Sequence, residues 1–195
     1  VIASGSTVIS VALGTLAGYG FSRYPRYTKG EFGPFFLLAL SMLPAVTLVL
    51  PFFFIWASLG LLDTHLGIII VYLSFSLPFA TWLMRDYFDN IPQSYEEAAR
   101  TDGYTQFQTL RKVVLPLVMP GLFAVTVITF IFGWTEFLYA FVLGGDNITT
   151  YTALFPDFVA GRQVLWNQRM ALALIAIMPP ILLMLVLRDR VTELF

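Results

Sequence analysis

The 195-residue chain is 58% hydrophobic and 12% charged, with a net charge of −1 and a mean hydropathy of +0.79. Soluble domains carry about a quarter charged residues. Here the few charges are clustered, leaving apolar blocks long enough to cross a bilayer at ~20 residues each, so a water-soluble domain is excluded and no nucleic-acid partner is expected. There is no Cys, which excludes disulfides and thiolate metal sites.

The first apolar block, 1–21, opens on Val1 with neither a basic leader nor a small-residue cleavage site. It lacks the pattern of a signal peptide, and the chain is expected to be part of a longer protein. Within it, Gly14-Thr15-Leu16-Ala17-Gly18 is a small-xxx-small pattern that lets helix backbones approach closely. A basic turn at 23–31 leads to a second block, 35–59, interrupted by Pro44 and Pro51. The short link 60–65 ends on His65, which has no second ligand near it in sequence and is expected to be a solvated turn residue. A third block, 66–84, carries Pro78. After a polar loop at 85–116 come a fourth block, 117–143, a mixed segment and a fifth block, 170–187, with Pro179-Pro180. Each Pro removes a backbone N–H, a loss that in lipid must be offset by neighbouring helices, side chains or water. The expected architecture is an all-α polytopic bundle of about five spans in a single membrane domain, 1–195.

The Lys and Arg residues orient it. Arg23, Arg26 and Lys29, then Arg85, Arg100, Arg111 and Lys112, then Arg188 and Arg190 alternate in topology with a side holding only Arg162 and Arg169. The positive-inside rule places the 85–116 loop and the C-terminus in the cytoplasm.

Inside that loop, Ser94-Tyr95-Glu96-Glu97 has the form of a capping box, and Gly103 is placed to end the helix where a left-handed residue costs least. Glu96 and Glu97 sit at the positive end of this helix. Ala98 and Ala99 have short side chains, so another protein surface can approach them; the competing reading is an interfacial amphipathic helix with no partner. Thr105-Gln106-Phe107-Gln108 is a second capping box, opening a helix whose Phe107, Leu110, Val114 and Leu117 form an apolar stripe, and Pro116 redirects the chain into the fourth span.

Glu136 lies in that span beside Trp134 and Tyr139. An intramembrane carboxylate is costly and faces protein or a water-filled cavity, so Glu136 is either a pathway residue that bonds solute hydroxyls or a structural acceptor. Trp134, Tyr139 and Tyr72 could stack on the apolar face of a pyranose, or belong to interfacial aromatic belts. Asn147-Ile148-Thr149 matches a glycosylation acceptor by chance. No GxxxxGK[ST], HExxH or GxSxG pattern occurs, so no catalytic residue and no metal site is assigned, and ATP hydrolysis is not expected of this chain.

The spacing Glu97-Ala98-Ala99, three residues, Gly103, nine residues, then Val113-Val114-Leu115-Pro116 resembles the EAA loop of permease subunits in ATP-binding-cassette importers. Phe88-Asp89-Asn90-Ile91-Pro92 and Tyr95 to Gly103, with Asp102-Gly103 at the turn, look like the carbohydrate (maltose-type) branch. Gly133-Trp134-Thr135-Glu136-Phe137 resembles its Trp-Asn-Glu-Phe element, with Thr135 in place of Asn. The resemblance implies a type I importer permease fold in a prokaryotic inner membrane. In it, a coupling helix presents Glu97, Ala98, Ala99 and Gly103 to a groove of a cytoplasmic ATPase dimer, with Asp102 supporting the turn and Leu115 and Pro116 completing the motif. It also implies a second homologous permease subunit, an extracytoplasmic solute-binding protein, and ATP and Mg held by the ATPase rather than by this chain. A further N-terminal span and a C-terminal tail are usual in the family and are not seen in this sequence. The implied function is passage of a sugar or polyol; the alternative is a permease for an amino acid, peptide or ion.

Overall fold

The computed structural model describes residues 1–25, 32–154 and 166–192. Arg26, Lys29 and Arg162, used above for orientation, lie outside them. The elements are α1 (Ile2–Arg23), α2 (Phe32–Ser41), α3 (Ala45–Leu59), α4 (His65–Asp89), α5 (Ser94–Thr101), α6 (Gln106–Thr109), a π-helical turn (Leu110–Val114), α7 (Leu115–Leu117), α8 (Met119–Thr135), α9 (Leu138–Leu143), α10 (Tyr151–Leu154) and α11 (Trp166–Thr192). No strand occurs among the described residues. That is the outcome lipid imposes, since a helix satisfies its backbone within itself.

Helix α1, helix α4 and residues Trp166–Leu187 of α11 are each long and apolar enough to cross a membrane. Two further helix pairs are apolar enough only when taken together, and each is sharply bent: α2 and α3 meet at 82°, and α6–α7 meets α8 at 76°. Block 35–59 is therefore not one straight helix. Its break lies at Pro44, whose extended ψ of 127° ends one helix and caps the next; Pro51, Pro78, Pro179 and Pro180 all lie inside helices. Block 117–143 is divided too. Its bend sits at Val118, between Pro116 and Pro120, and its helix stops at Thr135 before α9 restarts at Leu138.

Helices α1 and α4 form the spine. A Cβ at Gly14 would lie 2.9 Å from the Ala80 Cβ, and one at Gly18 would lie 2.8 Å from the Arg85 backbone N. The small-xxx-small pattern is thus the contact surface itself, with the Ser10 and Ser76 hydroxyls bonded across it at 2.6 Å. With lipid as apolar as the side chains, such close packing and interhelical hydrogen bonds replace hydrophobic exclusion as the cohesive terms. Two buried clusters flank the spine. One gathers Trp56, Ile68, Tyr72 and Tyr139; the other gathers Tyr19, Met84, Phe88, Leu110 and Val114 next to the loop.

Candidate functional site: the surface helix and the cavity at the opposite end

Helix α5 begins differently from its expected capping box. Ser94 makes no cap bond. Gln93 is already helical (φ −63°, ψ −20°), and the carbonyls of Pro92 and Gln93 accept the first amides, those of Tyr95, Glu96 and Glu97. With the first turn's donors taken by backbone, a serine cap is redundant. The helix end agrees with expectation. Gly103 is left-handed at φ +86°; its N–H donates to the Arg100 carbonyl while the Tyr104 N–H donates to the Ala99 carbonyl, both at 3.0 Å, the two bonds of a Schellman motif.

The second capping box, between Thr105 and Gln108, forms in both directions. The stripe after it is shifted. Leu110 and Val114 are buried, but Phe107 and Leu117 are 67% and 47% exposed, and Val118 takes the inward place. For Leu117 and Val118 the cause is the π turn, in which the Leu115 N–H donates to the Leu110 carbonyl five residues back and so rotates the residues beyond it about the helix axis.

Of the residues assigned to docking, Glu97, Ala98, Asp102 and Gly103 are exposed, whereas Ala99 is turned inward at 5% exposure. Leu115 packs at the edge of the loop-end cluster, and Pro116 is exposed. The inward face also carries Glu96, 3% exposed. Its Oε1 accepts from the Arg23 Nε at 2.5 Å, its Oε2 from the Tyr19 hydroxyl at 2.7 Å, and Arg100 stands 3.8 Å away. Arg23 also donates to Ser22 Oγ and to the Ile91 carbonyl. A buried carboxylate persists only when paired and fully bonded. The buried pairing of Glu96 with Tyr19 is what sequence reasoning missed, since it spans 77 residues and no local pattern announces it.

At the other end, a cavity of about 300 Å³ is lined by Ala3, His65, Tyr72, Trp134, Glu136 and the 147–151 segment. A second recess of about 430 Å³, lined by Ser41, Ser74, Phe75 and Tyr139, shares Glu136 with the first. Tyr72, Trp134 and Glu136 thus come together, while Tyr139 faces the second recess and is buried against Phe52 and Phe75. Trp134 stacks on Tyr151 at 4.9 Å, and its indole N–H is committed to the Ala176 carbonyl. The buried Tyr72 hydroxyl lies beside the Glu136 carboxylate. Glu136 has a structural duty: its carboxylate accepts the Tyr139 and Ala140 amides at 2.9 and 3.1 Å, capping α9 and explaining why block 117–143 breaks where it does. Glu136 therefore caps a helix and lines two cavities.

Asp63, unremarked in the sequence, holds the rim. Left-handed at φ 54°, it accepts the Asn147 and Ile148 amides and the Asn147 side chain within 2.9 Å. Those bonds, the Asn147 amide foremost, hold its carboxyl below the usual aspartate range. Asn147, the sequon residue, is engaged in this clasp.

Comparison with known proteins bears on the family and the fold. The chain is 39% identical over 142 residues to the trehalose transport system permease protein SugB of Mycobacterium tuberculosis, covering 71% of this chain and 50% of that one. It is 32% identical over 197 residues to the trehalose/maltose transport system permease protein MalG of Thermococcus litoralis, covering 99% and 70%. Against a probable ABC transporter permease protein of Pyrococcus horikoshii, 33% identical over 183 residues and 93% of this chain, it spans 66% of the length. Among solved structures, a bacterial ABC transporter that imports the acidic polysaccharide alginate superposes with a TM-score of 0.65 at 26% identity, over 96% of this chain and 74% of that one. The inward-facing MetNI methionine transporter superposes with a TM-score of 0.75 at 17% identity, over 100% and 93%, a likeness of fold alone. Residues 10–193 match the model of one family, and the chain belongs to it: the binding-protein-dependent transport system inner membrane components, with the type I importer permease fold.

Proposed function

We propose that this chain is a membrane-spanning permease subunit of an ATP-driven importer for a sugar or related polyol, and that α5 couples it to a separate cytoplasmic ATPase dimer. The observation that carries the reading is α5 itself. It is a two-turn helix standing between spans, with Glu97, Ala98 and the left-handed Gly103 open to an approaching surface and its other face bonded into the bundle. The 85–116 loop and the C-terminus lie in the cytoplasm on this reading, in line with the basic residues. ATP and Mg are bound by the ATPase, a second homologous permease completes the pathway, and an extracytoplasmic binding protein delivers the solute.

The carbohydrate class is supported by the names of the SugB and MalG relatives and by the chemistry of the first cavity. There an aromatic pair, the Tyr72 hydroxyl and the Glu136 carboxylate suit a ligand with apolar ring faces and many hydroxyls. Movement of α5 as the ATPase dimer closes would bias the bundle between two states with different access to this cavity. The test is ATPase activity of the full reconstituted complex with its binding protein across sugars, polyols and amino acids. Stimulation by one carbohydrate is expected; stimulation only by a non-carbohydrate would overturn the solute class, and no stimulated ATPase at all would overturn the coupling.

A further inference from the structure

Helix α1 runs unbroken from Ile2 to Arg23, a rod of about 33 Å at 1.5 Å per residue. Its first residues, Val1 to Ala3, line the first cavity; its last turn meets the surface helix. That last turn does more than touch α5. Tyr19 and Arg23 hold the two oxygens of Glu96, Arg23 also holds the Ile91 carbonyl, Ser22 donates to Asp89 at the end of α4, and the Tyr19 ring packs edge-on against Phe88. Along its length α1 is seated on α4 by Gly14, Gly18 and the Ser10–Ser76 bond, and near the cavity Gly133 of α8 packs on Ser6 and Ala3.

Covalently, α5 is joined to α4 through the 90–93 turn and to α8 through the π-helical segment. The rod that reaches the cavity wall is joined to neither by the chain. Its direct side-chain bonds to α5 converge on Glu96, the one acidic side chain of α5 that is buried, whereas Glu97 next to it is exposed. A charged hydrogen bond from a rigid donor such as guanidinium transmits displacement in direction as well as distance.

We propose that Glu96 is a positioning residue that latches the surface helix to α1 through Arg23 and Tyr19, so that displacement of α5 is delivered along α1 to the wall of the cavity at Ala3. The proposal rests on the coupling role given to α5 above. Glu97 and Ala98 meet the ATPase; Glu96 converts that meeting into movement of the rod.

The absence of native Cys permits a direct test. Ala3, buried at 7% exposure in the cavity wall, is replaced by Cys in the full complex reconstituted in nanodiscs. Its labelling rate with a charged maleimide is measured without nucleotide and with ATP plus vanadate, while the ATPase subunit retained on purification is quantified. The parent is expected to change its labelling rate about tenfold with nucleotide. Glu96→Ala is expected to retain the ATPase subunit but change less than twofold. Tyr19→Phe, which removes one hydroxyl and alters no exposed surface of α5, is expected to give an intermediate response. Arg23→Gln combined with Glu96→Ala is expected to do no more than Glu96→Ala alone, because both break one latch. A parent that does not respond overturns the coupling role of α5 itself. A responding parent with equally responding Glu96→Ala and Tyr19→Phe variants overturns the latch alone. Should Glu96→Ala fail to assemble, Tyr19→Phe decides.

Discussion

Two glycines on one helix offer a controlled measurement of the α1–α4 contact. Gly18→Ala and Gly20→Ala make the same chemical change on the same helix, so the intrinsic gain from replacing a helical Gly, ~1 kcal/mol, is common to both and cancels in their comparison. What differs is the space. A Cβ at Gly18 meets the Arg85 backbone N at 2.8 Å and the Thr81 carbonyl and Met84 Cβ at 3.0 Å, whereas one at Gly20 meets nothing within 4 Å. Two of those three neighbours are backbone, which cannot turn aside, so the helices must separate by roughly half an ångström, enough to forfeit about a quarter of each contact's attraction along the seam. Overpacking of this kind costs about 1–3 kcal/mol. For a chain of this size that is a difference of about 2–12 °C between the two variants. Thermal unfolding in one detergent, monitored by tryptophan emission, gives the comparison, with Gly18→Ala expected to melt lower. Equal melting temperatures, or a higher one for Gly18→Ala, would refute the close-contact reading of the glycine pattern.

Gly103→Pro cannot adopt φ +86° and loses the N–H that bonds Arg100, so α5 loses its stop; the complex is expected either to lose its ATPase or to hydrolyse ATP without uptake, and coupled uptake at the parent ratio would count against α5 as the coupling element. Glu136→Ala removes the acceptor of two α9 amides and is expected to lower stability by ~1 kcal/mol; Glu136→Gln, which keeps one acceptor oxygen, is expected to recover about half of it, and equal stability of all three proteins would remove the capping role. Asp63 is held ionised by its amide donors, so its contribution is present above the ordinary aspartate pKa of about 3.9 and is lost as pH falls through its lower folded value. Protease cleavage between residues 144 and 150 is expected to rise in that acidic window in the parent, and to be high and nearly pH-independent in Asp63→Asn; a flat parent profile would sink the clasp.

Much of the architecture was legible because lipid permits so few solutions. Of the five apolar blocks, three hold a single helix long and apolar enough to cross, and the other two fall on sharply bent helix pairs. What could not be read was which proline would break its helix. Pro44 and Pro51 look alike in sequence, yet Pro51 stays inside α3 while Pro44 turns the chain. The Thr105 box was legible because its partners are three residues apart; the Ser94 box, with the same local grammar, lost to the carbonyls of Pro92 and Gln93. The sequence of α5 did not tell its outward residues from its inward ones, since Ala99, expected to face outward, is buried. Ala99 and Glu96 lie three apart on the buried face of α5, but a Glu on a buried face is recognisable only once Arg23 and Tyr19, more than 70 residues away, are seen beside it. Asp63 escaped notice for the same reason, its acceptors being matched by amides 84 and 85 residues on.

The last helix stands apart from this network. Within the described residues the hydropathic window of α11 has none of its residues buried, and the helix leans on α8, where the Trp134 indole N–H grips the Ala176 carbonyl at 2.8 Å. An indole held this way emits differently from one released into lipid or water. With Trp56, Trp82 and Trp166 replaced by Phe, the fluorescence of Trp134 becomes an intrinsic gauge of whether the final stave is seated, needing no added dye and sensitive to each detergent or lipid in which the protein is placed.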